Sequence, residues 1–158
     1  MAAFRIILTL LWLTALIRIA LTDLKTLQIP DRWNLILAVA GILSSFVNMD
    51  RGPAEQVAGA FIISLPMLIT DLVIPGGFGG GDIKLMAAAG LFLGWKKEVL
   101  AALLAFSAAG LFAVYLLLTG KAGRKDCFAF GPFLCGGLAF SALAGDRVVM
   151  WYMSHLLY

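Results

Sequence analysis

Two carboxylates in this chain sit where they could do chemistry. Asp82 closes a run in which Gly76, Gly77, Gly79, Gly80 and Gly81 flank the single side chain of Phe78. Such a run opens backbone angles closed to other residues and lets chain segments approach closely. An apolar helical stretch follows, so Asp82 reads as a carboxylate at a helix N-terminus, stabilised by free amides and the helix dipole. A flexible loop with a helix cap would account for Asp82 but not for the glycine density. Asp23 lies just past the apolar run Ile6–Ile17, in the segment RIALTDLKTLQIPDRWN. An interfacial aspartate beside Lys25 is the plain alternative. Brought together, two carboxylates do not both ionise easily, and one keeps a proton while the other is charged. Such a pair can activate water with one member and protonate a carbonyl or a leaving amine with the other. It needs neither a metal nor a nucleophilic side chain.

The remaining inventory offers little competition. The lone histidine, His155, is in the C-terminal tail, and Ser44, Ser45, Ser64, Ser107, Ser141 and Ser154 have no base beside them in the sequence. Neither a serine triad nor a zinc site is supported. Cys127 and Cys135 share one apolar segment without a CxxC pattern and read as small buried hydrophobes. There is no G-x-x-x-x-G-K-[ST] loop for a nucleotide. Asp71, shortly before Pro75, is either a polar anchor of the glycine loop or an interfacial residue. Lys84 could attract a carboxylate or simply snorkel to the interface. Asp31, after Pro30, reads as the cap of the next helix.

The elements that must position these groups are apolar. Of 158 residues, 62% are hydrophobic and 13% charged, against roughly 45–50% and about 25% in soluble domains. So many apolar side chains require lipid outside as well as a packed interior. The net charge of +3 is scattered between apolar runs, and no basic cluster adjoins a recognition helix; nucleic acid is set aside. After the first run, which lacks an A-x-A cleavage site, come the stretches Trp33–Met49, Gln56–Thr70 with Leu72–Ile74, Leu85–Trp95, Val99–Gly120 and Cys127–Gly145. A spanning helix takes about 20 residues. The fourth stretch is too short even from Asp82, so one of its ends must start at depth, where non-helical backbone needs a protein or aqueous lining. The tail Val148–Tyr158 reads as interfacial or as an extension of the last span. The expected fold is an all-α polytopic membrane protein with about six transmembrane helices, forming a single domain over residues 1–158. Loops one, three and five carry Lys25, Arg32, Lys84, Lys121, Arg124 and Lys125, and the opposite side Arg5, Arg51, Lys96, Lys97 and Arg147. The cluster Lys121–Lys125 points that first side, and both aspartates with it, to the cytoplasm.

In three ordered motifs the chain resembles the type IV prepilin peptidases, membrane aspartic peptidases with a G-x-G-D signature. Gly79-Gly80-Gly81-Asp82 continues as Ile83-Lys84-Leu85-Met86 with Gly90; Asp23 is followed by Ile29-Pro30 and Asn34; and Phe130-Gly131-Pro132-Phe133 resembles the family's PFGPF, with Ala129 replacing its first proline. The resemblance implies catalysis by Asp23 and Asp82, in a site shaped by Gly79, Gly80, Gly81, Pro30 and Lys84, without metal or cofactor. It implies prepilin or pseudopilin substrates, which carry a short basic leader, a glycine at the cut and then an apolar helix. It also implies a bacterial inner membrane location, amid membrane lipid, with the site facing the cytoplasm. Longer members carry an N-terminal cytosolic insertion with paired cysteines and N-methylate the new terminus using S-adenosylmethionine. That insertion is not in this sequence, so methyltransfer is not expected. The competing readings are a small proton-coupled transporter, a presenilin-type protease and a non-catalytic membrane scaffold. The transporter lacks an inverted repeat, and a scaffold leaves both aspartate motifs unexplained.

Overall fold

The computed structural model describes residues 2–47, 52–120 and 128–156. The described residues form seven helices and the turns between them, with no strand among them. The helices are α1 (Ala2–Thr26), α2 (Asp31–Val47), α3 (Pro53–Ile62), α4 (Ser64–Val73), α5 (Gly80–Leu93), α6 (Trp95–Leu118) and α7 (Gly131–Leu156). Four rods are long and apolar enough to cross a membrane: α1, the combined α3–α4 segment Pro53–Val73, α6 and α7. The 17 residues of α2 and the 14 of α5 fall short of that length. At 1.5 Å per residue α5 extends only about 21 Å, against about 30 Å of hydrocarbon. The chain is thus a multi-pass membrane protein with a short internal helix where the sequence implies one. The basic cluster Lys121–Lys125, Cys127 and Met49 lie outside the described residues.

Two boundaries differ from the sequence reading, and a third choice is decided. The third apolar stretch breaks at Ile63 instead of running straight. Pro66 has no N–H to give to the carbonyl four residues back, and the Ser64 hydroxyl donates to the Ala60 carbonyl, so the helical ladder is interrupted before it resumes. Helix α5 begins at Gly80, which makes Asp82 its third residue and Gly79 its cap. The tail from Val148 onward simply continues α7, a choice the sequence had left open.

Helix α5 is the hub, packed against α2, α3, α4, α6 and α7, while α1 lies against α2 and α7. Glycines permit these close crossings. A Cβ on Gly59 of α3 would come within 2.5 Å of the Gly90 carbonyl of α5, and one on Gly41 of α2 within 2.7 Å of Leu91. The interior is built from Trp12, Leu16, Ile19, Leu37, Leu85, Met86, Leu134 and Leu138, all fully buried, with Trp12 stacked on Phe92 at 4.7 Å between ring centres. The exterior is equally apolar. Leu72, Leu111 and Leu118 are 73%, 73% and 83% exposed, as lipid-facing side chains should be.

Candidate active site

The ends of α1 and α4 and the starts of α2, α5 and α7 meet at one end of the bundle. Helix α1 stops at Thr26 because Leu27 turns into the left-handed region, φ 52°, while its N–H still donates to the Asp23 carbonyl at 2.9 Å. A non-glycine residue there is uncommon and marks a specifically held turn. It leaves Asp23 in the last turn of α1, facing inward and 5% exposed. From the opposite side the Gly131 amide, first residue of α7, donates to Asp23 Oδ2 at 2.9 Å. A Cβ at position 131 would stand 2.7 Å from that same oxygen, so only glycine brings this amide in.

Asp82 projects from the first turn of α5, and its carboxylate turns back toward the amide of Gly79, the acidic half of a capping box. Its Oδ1 is buried and has no hydrogen-bond partner among the described residues. A Cβ on Gly79 would lie 2.9 Å from Asp82 Oδ2, and one on Gly81 would lie 2.9 Å from Cβ of Ile29. These two glycines therefore supply space. Gly79 has φ −72°, open to any residue, and within the run Gly76 alone has a positive φ, 83°. Asp71 organises that loop: its Oδ1 accepts from the amides of Gly76 at 3.2 Å and Phe78 at 3.3 Å, which makes it the loop's polar anchor.

Asp23 and Asp82 interact electrostatically and together line two cavities. One, of about 270 Å³, lies among Leu27, Gln28, Ile29 and Gly79–Gly81. The other, of about 500 Å³, is bounded by Leu27, Gly76–Gly79 and Phe128–Phe130. Phe78 and Phe130 pack with Phe106 to make its apolar wall. Two carboxylates at a shared, partly enclosed space, with one oxygen awaiting a partner, can hold and polarise a water molecule against a peptide carbonyl.

Other sequence candidates fall elsewhere. Lys84 forms an exposed ion pair with Asp31, at 2.8 and 3.0 Å, and so ties α5 to α2 near the site. The Pro30 carbonyl accepts from Trp33 and so opens α2. Asp31 is the first residue of that helix rather than its cap. His155 is exposed at the far end of α7 against Trp151, and Ser141 is buried with its hydroxyl on the Lys97 carbonyl. Cys135 is buried beneath the site, within electrostatic range of both aspartates. Among the described residues no three His, Cys, Asp or Glu side chains converge as metal ligands would. Sequence reasoning missed the Gly131 amide as the partner of Asp23. The Phe-Gly-Pro-Phe motif was its only signal.

Residues 7–114 match the Type IV leader peptidase family. Among curated proteins, "Prepilin leader peptidase/N-methyltransferase" of Bacillus subtilis is 31% identical over 150 residues, covering 92% of this chain and 59% of the relative. The protein of that name from Legionella pneumophila is 30% identical over 161 residues, covering 96% of this chain and 54% of the relative. That of Aeromonas salmonicida is 30% identical over 147 residues, covering 90% and 50%. The chain thus spans about half the length of the curated relatives it matches. No solved structure matches it.

Proposed function

Because the chain belongs to the Type IV leader peptidase family, we propose that it hydrolyses the bond joining the leader to prepilin or pseudopilin-like proteins, with Asp23 and Asp82 as the catalytic pair. The observation that carries this is their convergence, from α1 and α5, on the same two cavities. In the reaction the charged member takes a proton from water as the water oxygen attacks the scissile carbonyl. The protonated member gives its proton to the carbonyl oxygen. The resulting diol collapses with transfer of a proton to the amide nitrogen, the C–N bond breaks, and the pair is left sharing one proton again. Gly131 holds Asp23 in place, while Gly79 leaves room for the Asp82 carboxylate and Gly81 for Ile29 beside it. The site faces the cytoplasm across the bacterial inner membrane, a reading supported by the distribution of lysine and arginine between loops. The test is Asp23→Asn and Asp82→Asn with prepilin in membranes. Each variant should lose about 10²–10⁴-fold in cleavage rate at unchanged expression, and substantial activity in either would remove that residue from the pair.

The same reading takes residues 1–158 to cut without methylating. These residues contain no paired-cysteine insertion, and the short connections between helices offer little of the concave polar surface that a large polar cofactor needs. Mass spectrometry of a pilin processed by this chain with S-adenosylmethionine supplied should find a free amine at the new terminus. A mass increase of one methyl group that disappears when the chain is omitted would refute this.

A further inference from the structure

A third groove, of about 660 Å³, opens on the outer face of α5 between α2 and α3. Its floor is Ala87 and Ala88, and its walls include Ala38 of α2 and Ala60 and Phe61 of α3. At the end distant from the aspartates α2 and α3 are joined, because the Ser45 hydroxyl donates to Gln56 Oε1 and Gln56 Nε2 donates to the Ser44 hydroxyl at 3.4 Å. Toward the site the two helices are separated by the groove, whose mouth carries Asp31, Arg32 and Lys84. From Lys84 to Leu91 it runs about 10 Å, two helical turns. Asn34 lines it and is 5% exposed. Its Nδ2 donates to the Gly81 carbonyl at 3.3 Å, which leaves Oδ1 as an acceptor that is buried and has no partner among the described residues.

Resting on the peptidase reading above, we propose that this groove seats the apolar helix of the substrate, with the first turn of that helix against Asn34. Small side chains on three surrounding helices let another backbone come close. The first four amides of a helix have no intrahelical acceptor, and one of them supplies the donor that Asn34 Oδ1 lacks. A lipid acyl chain fills apolar space but brings no donor to that depth. The polarity of the groove also fits a leader peptidase, since the helix descends from the catalytic end and the chain preceding it remains at the aspartates. Successive residues of a helix are turned by 100°, so Asp82 and the Ala87–Leu91 face lie on opposite sides of α5. The substrate backbone must therefore cross the N-terminus of α5. Gly80 is there, where an added Cβ meets nothing within 4 Å. Crossing a helix about 10 Å wide takes roughly three extended residues. The seated helix accordingly begins about four residues beyond the cut bond.

The experiment places a photo-crosslinking phenylalanine analogue at position 61 in full-length Asp82→Asn protein and illuminates it in membranes with prepilin. The expected adduct joins position 61 to the apolar segment of the prepilin, and Ala87→Phe in the same background should abolish it. In otherwise unmodified enzyme, Ala87→Phe should raise KM for full-length prepilin at least ten-fold relative to a soluble peptide that ends three residues after the cut. Adducts only with lipid or with a second copy of this chain would overturn the proposal, as would equal effects of Ala87→Phe on the two substrates. Cleavage without the prepilin adduct would sink the docking groove alone. An adduct from a parent enzyme that cuts neither substrate would sink the peptidase reading and leave the groove standing.

Discussion

An alanine at position 131 would put its methyl carbon 2.7 Å from Oδ2 and 2.9 Å from Cγ of Asp23, so either α7 retreats or the carboxylate swings away. Displacing a reacting group by about 1 Å costs on the order of 10²-fold in rate, and Gly131→Ala should lose about that much in prepilin cleavage with a small change in melting temperature. Gly136→Ala, later in the same helix where nothing lies within 4 Å of the added carbon, should cleave like the parent and so control for helix propensity. The carboxylates themselves predict a bell-shaped rate profile. At alkaline pH the pair loses the proton that protonates the carbonyl, and at acid pH it loses the charged oxygen that activates water. A flat profile through both limbs would separate the aspartates from the chemistry. Both were legible in the sequence because an ionisable side chain beside an apolar run is conspicuous. The amide that holds Asp23 was not, because it comes from backbone 108 residues away and a backbone N–H is the same in every residue but proline.

At the scale of elements, the site depends on where α5 sits, and α5 is set by crossings that tolerate no side chain. Gly90→Ala would drive its methyl into the Gly59 carbonyl of α3. Overpacking of this kind costs typically 1–3 kcal/mol, and the variant should melt earlier in detergent and lose cleavage in proportion to the folded fraction lost. If it melts like the parent, the crossing is looser than its geometry. The division into six apolar segments, with α3 and α4 in one of them, and the shortness of α5 could be read from the charges that punctuate the apolar runs. The break at Ile63 and the start of α5 at Gly80 could not. Lipid-facing and core-facing positions are both apolar, so the sequence carries little of the periodicity that marks faces in soluble helices. Pro66 was visible, but a proline inside a membrane helix can be accommodated in several ways.

Across the whole molecule, buried charge is divided between two ends. The end opposite the aspartates holds Lys97, 7% exposed and paired with Asp146, beside the fully buried Glu98 at the start of α6. Asp146→Ala removes the carboxylate that the buried Lys97 ammonium pairs with, a change that destabilises by weakening the compensation of a buried charge. The melting temperature should fall, while cleavage per folded molecule and its pH profile stay as in the parent. A shifted profile would mean that the two ends communicate.

The two cavities that share Asp23, Leu27, Gly79 and Asp82 have unlike linings, one completed by Gln28, Ile29, Gly80 and Gly81 and the other walled by Phe78, Phe128 and Phe130. For inhibitor chemistry this is a bipartite target. A small polar fragment and an aromatic fragment can each be selected in its own chamber at modest affinity. A short tether passing between the carboxylates then makes the second contact intramolecular, at an effective concentration in the millimolar range. Potency would then depend on tether length, and the best length would measure the spacing of the chambers in solution.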